Sequence, residues 1–452
     1  MPIQLPEGLM VSVSGVRGRV GDPLTPELMA GIAAALGAHL REVEGGRRVC
    51  LGRDSRVSGP MFARAVTSGL QSVGCDVIDL GVVPTPTLLM AVRDHEAIGG
   101  AEWNALKLVS SEGIFLDQER SAAFRSYLAE VDPPRASWDA LGSVTEDGGA
   151  WARHLERILE LPQIDVEAIR AAGLTVAVDC VHGAGGPVVS ELLGLLGCEV
   201  VGMGMEPDGW FPRDPEPTAA NLAGLGELVA KSGAAIGLAI DPDADRLSLV
   251  DETGRPMGED LTLALAAAAV LPTSSGPVVT NLSTSRVVED VATHFGVPLV
   301  RAPVGEVNVA RRMQHEGAVI GGEGNGGVIL PALHHTRDAP LACALILQHL
   351  ASEGLTPSEA AGRWPSYEIV KEKVAFPREA LADGYAALET DLAAESRDTS
   401  DGLRLEWPGR RAWLHVRPSG TEPVVRLIAE APDVDQARSL VRRAGELLAG
   451  VA

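Results

Sequence analysis

The sequence predicts an α/β protein made of three repeated α/β units of about 100 residues each, followed by a smaller α+β domain. Three observations carry that expectation. Short apolar runs alternate with helix-length stretches, the signature of a layered α/β fold. The alternation stops and restarts near residues 174 and 276, as a repeated architecture does. From residue 367 onward strands cluster together, and an amphipathic helix closes the chain.

Composition narrows the class. The chain has 452 residues, and its 46% hydrophobic content is ample for packed cores. A formal net charge of −23 argues against a nucleic-acid surface and against docking to anionic membranes. It does not argue against a phosphorylated small molecule, because a local arginine cluster binds phosphate inside an acidic protein. The lysines are Lys107, Lys231, Lys371 and Lys373 alone. A lysine within a motif therefore stands out as a group that can give up a proton, which arginine cannot. Cys50, Cys75, Cys180, Cys198 and Cys343 are dispersed and form no CxxC or Cys/His cluster. They are expected to be reduced and mostly buried, with no zinc site. The first ten residues have no basic start and no long apolar core, and the apolar stretch 261–271 is too short to span a bilayer. The expectation is a soluble cytoplasmic protein, monomer or homodimer.

Taken in order, residues 12–18 form a turn-rich segment bearing Arg17. Thr25 and Pro26 suit the N-cap and first position of a helix. A strand over 48–51 ends in Gly52-Arg53-Asp54-Ser55-Arg56, a helix starts at Pro60, a strand covers 76–80, and Pro84-Thr85-Pro86-Thr87 opens another helix. The apolar piece 97–101 runs straight into Glu102-Trp103-Asn104-Ala105-Leu106-Lys107. In the second unit, strand 175–178 ends in the Gly-rich turn 179–186, strand 199–201 and a helix over 219–230 follow, and the apolar run 234–240 feeds an acidic loop. In the third, strand 278–281, helix 283–295, strand 299–301 and helix 307–315 precede strand 319–320, the glycine-rich segment 321–327 and a long apolar helix over 339–350. Arg363-Trp364-Pro365 reads as a linker. Beyond it lie an edge strand over 367–376, a helix over 378–394, strands over 403–407, 412–416 and 424–430, and a helix over 434–448. The expected domains are 1–150, 151–255, 256–365 and 366–452.

Four segments can carry chemistry. Asp241-Pro242-Asp243-Ala244-Asp245-Arg246 places three carboxylates within five positions between two strand-like runs. Carboxylates that close repel one another and stay ionised together when a cation sits between them. All-oxygen ligands at this density suit Mg²⁺ before Ca²⁺ or Mn²⁺, against a solvated acidic turn. An EF-hand is excluded by Arg246 at its required glycine position and by the non-helical flanks. Gly321-Gly322-Glu323-Gly324-Asn325-Gly326-Gly327 offers Glu323 and Asn325 to sugar hydroxyls, while the glycines, Gly326 among them, let a ligand lie against backbone. The alternative is a bare Gly-rich strand-to-helix connection. Arg417-Pro418-Ser419-Gly420-Thr421 offers a guanidinium, two hydroxyls and a glycine to a phosphate, with Arg426 soon after, against a simple hairpin turn. Lys107 is a candidate general base, against an exposed surface lysine.

These loops, in this order, resemble the α-D-phosphohexomutase superfamily, which includes phosphoglucosamine mutase, phosphomannomutase and phosphoglucomutase. The similarity covers nearly the whole chain and includes Ser14-Gly15-Val16-Arg17-Gly18 and Asp208-Gly209-Trp210-Phe211-Pro212. It implies mixed sheets in domains arranged around one central cleft. It also implies 1-phosphate/6-phosphate interconversion through a phosphoserine enzyme and a hexose 1,6-bisphosphate, which serves as intermediate and activator. In that scheme Asp241, Asp243 and Asp245 hold one Mg²⁺ per chain. Arg17 and Arg246 assist, Lys107 handles the hydroxyl proton, and Arg417, Ser419, Gly420, Thr421 and Arg426 serve the stationary phosphate.

The sequence departs from the family at one decisive place. Relatives carry T-A-S-H-N-P just before the segment resembling Ala101–Lys107, whereas here Ile98-Gly99-Gly100 leads directly into it. Ser110 and Ser111 lie on the wrong side of Lys107. A segment dropped from the sequence, a designed deletion and a natural homologue without mutase chemistry all fit, and the clean edges favour the first two. A Mg²⁺- and sugar-phosphate-binding protein without turnover is therefore the competing reading. A phosphatase of the haloacid type does not fit the order of the motifs. Gly327 stands where many relatives carry histidine, and Glu306 follows Pro303-Val304-Gly305, so the sugar is not ranked from these loops. The Arg417–Pro423 motif leans toward glucosamine.

Overall fold

The structure is a computed structural model that describes residues 3–12, 15–103, 105–419 and 424–451. Four sheets organise it, and the four-part α/β and α+β architecture is as expected. The first sheet has seven strands, with Arg48–Arg53 parallel to both Asp76–Val82 and Gly99–Trp103. The second and third have four strands each and share one plan. Three parallel strands are followed by an antiparallel edge strand reached through a tight turn. The fourth is a five-stranded antiparallel sheet with Glu368–Ala375 at one edge.

The shared plan explains where the loops go. In the second sheet Ile236–Ile240 turns into the antiparallel strand Leu247–Val250, and the turn is the acidic motif. In the third, Ile320–Glu323 turns into Gly327–Ile329, so the glycine-rich segment is a hairpin and not the strand-to-helix connection considered above. The physical reason is that Gly321 and Gly322 are strand residues paired with Ile329 and Val328. In the first sheet Gly99–Trp103 pairs antiparallel with Leu106–Ser110, with Trp103 opposite Leu106. The hairpin turn that corresponds to the other two is thus two residues long.

Local chemistry sets most boundaries. Thr25 accepts from Leu28 N–H and caps Pro26–Glu44. Asp338 does the same for Ala339–Glu353 through Leu341 N–H. Three expected helices are shorter, among them the one over 378–394, which is a 3₁₀ turn at Arg378–Ala380 and the helix Leu381–Leu392. Residues 219–221 form a 3₁₀ turn before Ala223–Ser232. The helix expected from 283 begins at Val287, because Ser283 N–H and the Thr284 hydroxyl bond back to the Asn281 side chain. One continuous apolar core runs through the second and third units, while the first and fourth keep their own. All five cysteines are free, and Cys50, Cys75, Cys180 and Cys343 are buried. Among the described residues no helix is long and apolar enough to cross a membrane.

Candidate active site

The acidic turn is held by its own backbone. Asp241 Oδ1 accepts the N–H groups of Asp245 (3.0 Å) and Arg246 (3.1 Å), and Oδ2 accepts Arg246 Nε at 2.8 Å. Ala244 sits in the left-handed region at φ 53°, a strained position for a residue with a Cβ. The result turns Asp241, Asp243 and Asp245 together, with one carboxylate oxygen from each inside a 4.8 Å cluster, all buried.

Each aspartate has a cation beside it. Arg246 pairs with Asp241, Lys107 with Asp243 and Arg337 with Asp245. Burial pushes the Asp241 carboxyl well up, with Asp245 and Asp243 adding to it against Arg246. Burial acts the same way on Asp243, but Lys107 outweighs it and holds that carboxyl below the ordinary range. Burial pulls the Lys107 ammonium down, and Asp243, Glu102 and Asp245 overcome it, so its pKa lies above the ordinary value. Asp245 Oδ1 is buried and accepts no hydrogen bond, with Arg246 Nε 3.4 Å away. Three convergent carboxylates, one with an oxygen free of hydrogen bonds, are a donor set that fits a hard divalent cation.

Lys107 is therefore no surface lysine. It lies on Leu106–Ser110, buried, with Glu102 Oε2 3.4 Å from its ammonium. The Thr85 hydroxyl donates to Glu102 Oε1 (2.6 Å) or Asp243 Oδ2 (2.8 Å), and Thr85 N–H donates to the Asp243 carbonyl. Burial pushes Glu102 up to about 8 even with Lys107 beside it.

The sugar-loop hairpin abuts the acidic one: Leu247 N–H donates to the Gly326 carbonyl at 3.0 Å. Gly326 has φ 90°, and a Cβ there would come within 2.4 Å of the Leu247 carbonyl oxygen, so only glycine fits. Glu323 Oε1 accepts Asn281 Nδ2 (2.8 Å) and Gly305 N–H (3.0 Å), while Oε2 accepts Arg337 Nη1 (3.0 Å). Asn325 Oδ1 accepts Gly327 N–H.

A cleft of about 560 Å³ opens among these segments, and Asp241, Glu102, Thr85 and Gly326 do not line it. Arg17, Arg56, Lys107, Asp243, Asp245, Arg246, Glu306, Glu323, Asn325 and Arg337 all reach it. Arg17 enters from Gly15–Arg17. On the fourth sheet, Arg417 pairs with Asp401 at 3.2 Å. That carboxylate also accepts Val304 N–H, beside the cleft. Ser419 lies just beyond Ala412–Pro418, and its carbonyl accepts Arg378 Nη2. Arg426 is exposed, opposite Arg417 in the register. Gly420 and Thr421, like Ser14 and Asn104, lie outside the described residues. Ser110 donates to the Ile114 carbonyl and Ser111 to Glu44, both away from the cleft.

No pattern in the sequence marks Arg337, Glu102, Thr85 or Arg56 as site residues, and Glu306 stands out only for the segment it sits in. Arg337 is 10 residues beyond Gly327, outside any local motif. Its one signal was the glycine at position 327 in place of a larger residue.

Comparison with known proteins agrees along the chain. Models of phosphoglucomutase/phosphomannomutase α/β/α domains I, II and III match residues 9–132, 152–254 and 258–367, and that of the C-terminal domain matches 370–446. A probable phosphoglucosamine mutase of Methanopyrus kandleri is 39% identical over 446 residues, covering 96% of both chains. A phosphoglucomutase/phosphomannomutase of Thermococcus kodakarensis is 38% identical over 456 residues, covering 98% of both. The crystal structure of a phosphoglucomutase/phosphomannomutase family protein from Burkholderia thailandensis superposes with a TM-score of 0.81 at 25% identity, over 98% of this chain and 99% of that one.

Proposed function

The chain belongs to the phosphoglucomutase/phosphomannomutase family, and from that membership we propose that it is a phosphohexomutase, an isomerase that interconverts the 1- and 6-phosphates of a hexose in this cleft. The carrying observation is the meeting of the acidic hairpin, the sugar hairpin, Lys107 and Arg17 on one cavity. Asp241, Asp243 and Asp245 are the residues that hold Mg²⁺. A magnesium ion bound there supplies a Lewis acid that neutralises charge on phosphoryl oxygens. Glu323, Asn325 and the Gly326 backbone orient the sugar hydroxyls. Arg417, Ser419, Gly420, Thr421 and Arg426 grip the phosphate that does not react, which leaves the other end of the sugar facing the acidic hairpin. Arg17 and Arg246 place positive charge beside the moving phosphoryl group, and Lys107, held as an ammonium by Asp243 and Glu102, can hand a proton to the departing oxygen but has no lone pair with which to take one from the attacking hydroxyl. A hexose 1,6-bisphosphate intermediate would require a phosphorylated donor that gives one phosphoryl group to the hexose phosphate and takes the other back after the sugar turns round, the role of the family's serine segment, which this sequence lacks ahead of Ala101.

A second reading has a specific observation behind it. The strand Gly99–Trp103 runs unbroken, each residue paired with Leu106–Ser110, so it carries no insertion ahead of Ala101, where the family places its serine segment. On that reading the chain binds Mg²⁺ and hexose phosphate without turnover. A coupled assay on the purified 452-residue chain separates the two, with its intact mass checked first. Glucosamine, glucose and mannose 1-phosphates are supplied with Mg²⁺ and a trace of the matching 1,6-bisphosphate. Formation of the 6-phosphate supports the mutase. Calorimetric binding without turnover supports the binder. Neither turnover nor binding overturns both.

A further inference from the structure

Arg337 reaches the cleft without belonging to any of the four chemistry-bearing loops. Its guanidinium reaches three carboxylates from three segments. Nη2 meets Asp245 of the acidic hairpin, Nη1 donates to Glu323 of the sugar hairpin at 3.0 Å, and Nε lies 3.2 Å from Glu306 Oε2. Burial lowers its pKa, but Asp245, Glu306 and Glu323 together raise it above the ordinary range, so it is a fixed cation. Its backbone is fixed too. Arg337 N–H donates to Glu306 Oε1, and the next residue, Asp338, donates its N–H to the Val328 carbonyl. The Asp338 carboxylate takes both His154 Nε2 and His334 Nε2 at 2.7 Å while capping its helix.

The stem of Arg337 crosses directly over Gly327. A Cβ at position 327 would lie 2.2 Å from Arg337 Cδ and 2.8 Å from Cγ. Gly327 is a strand residue without a left-handed backbone angle, so its backbone does not require glycine. What requires it is the arginine. A larger residue at 327 and Arg337 in this position exclude each other.

We propose that Arg337 is a positioning residue for the hexose ring, and that Gly327 is a glycine in order to leave it room. Glu323 Oε1 is fully occupied by Asn281 and Gly305, and Arg337 takes one side of Oε2. The carboxylate plane is thereby fixed, with one lone pair of Oε2 left for a ring hydroxyl. Without the guanidinium, Glu323 Oε2 loses the donor that fixes the carboxylate plane, and its aim at the ring is lost. The ligand this subsite takes is a hexose phosphate held by its ring hydroxyls, so the inference rests on the hexose-phosphate reading above.

The test is calorimetric titration of the full chain with glucose 6-phosphate and glucosamine 6-phosphate in the presence of Mg²⁺. Arg337→Ala is expected to bind about tenfold more weakly, the order of one charge-assisted hydrogen bond, and Arg337→Lys to recover part of the loss. Gly327→Ala, which displaces the stem, is expected to weaken binding in the native background and to change nothing in the Arg337→Ala background. Native protein that binds neither sugar overturns the hexose-phosphate reading and this inference with it. Native binding that the three single variants all retain overturns the inference alone. So does a loss that Arg337→Lys does not recover, or one that adds to that of Gly327→Ala, since general damage to the cleft gives both. Should Arg337→Ala fail to fold, Arg337→Lys and Gly327→Ala carry the test.

Discussion

Replacing Lys107 with methionine removes one charge from the most crowded part of the cleft and keeps the length of the side chain. Lys107 is 8% exposed at the side chain, and its ammonium is the cation that Asp243 and Glu102 share. Breaking a buried ion pair from one side leaves an uncompensated charge and costs about 3–5 kcal/mol. At about 2–4 °C per kcal/mol for a cooperative unit of about 150–250 residues, the size of two such domains unfolding together, the unfolding midpoint should fall by about 6–20 °C. The loss should be partly reversed by Mg²⁺. With Lys107 gone, a divalent cation at the three aspartates meets no competitor for Asp243, so the rise in midpoint on adding Mg²⁺ should exceed that of the native protein. Thermal unfolding followed by circular dichroism, with Mg²⁺ and with chelator, reads both effects. A variant as stable as the native protein in chelator would refute the ion-pair reasoning. An equal Mg²⁺ response in the two proteins would refute the assignment of Asp243 as a ligand.

Two further outcomes follow from the same neighbourhood. Glu102 keeps its proton up to about 8 in the folded chain but loses it near 4.3 when unfolded. Between those values the folded state binds the extra proton, so stability falls as pH rises, at up to about 1.4 kcal/mol per pH unit. Glu102→Gln should remove that slope, and its advantage over the native protein in denaturant titrations should grow from pH 5 to pH 8; an advantage constant with pH would contradict the assignment. Gly326→Ala places a Cβ 2.4 Å from the Leu247 carbonyl at φ 90°. It should cost about 1–3 kcal/mol and weaken hexose-phosphate binding measured by calorimetry, whereas unchanged binding would separate the sugar hairpin from the site.

Much of this protein is written locally. The alternation of apolar runs and capped helices sets the order of elements, because hydrogen-bond caps and burial periods act within a few residues. Thr25 and Pro26 start their helix where expected, and residues 278–281 form the strand Val278–Asn281. Asp241, Asp243 and Asp245 converge because a single turn spans all of them. The motif order along the chain was enough to suggest the family. Lys107 could be named from its neighbours but not placed, since an isolated lysine reads as surface until a carboxylate from another sheet is seen beside it.

The tertiary structure decided the rest. Thr85, Glu102, Glu306 and Arg337 join the site through contacts between segments distant in sequence, such as Thr85 with Asp243 and Arg337 with Asp245. No local pattern encodes those distances, because they depend on how separate sheets pack. The glycine-rich segment is a hairpin and not the alternative passage into a helix, since strand pairing of Gly321 with Ile329 is a choice made across the sheet. The order of residues alone sets which chemical groups are available: three clustered aspartates, Glu323 and Asn325 in a glycine-rich loop, and Arg417 and Arg426 on the last sheet. Packing alone determined that three hairpins from three sheets meet at one cleft, and that Arg337 crosses Gly327 to join two of them, because close approach and the burial of charge exist only once the chain has closed on itself.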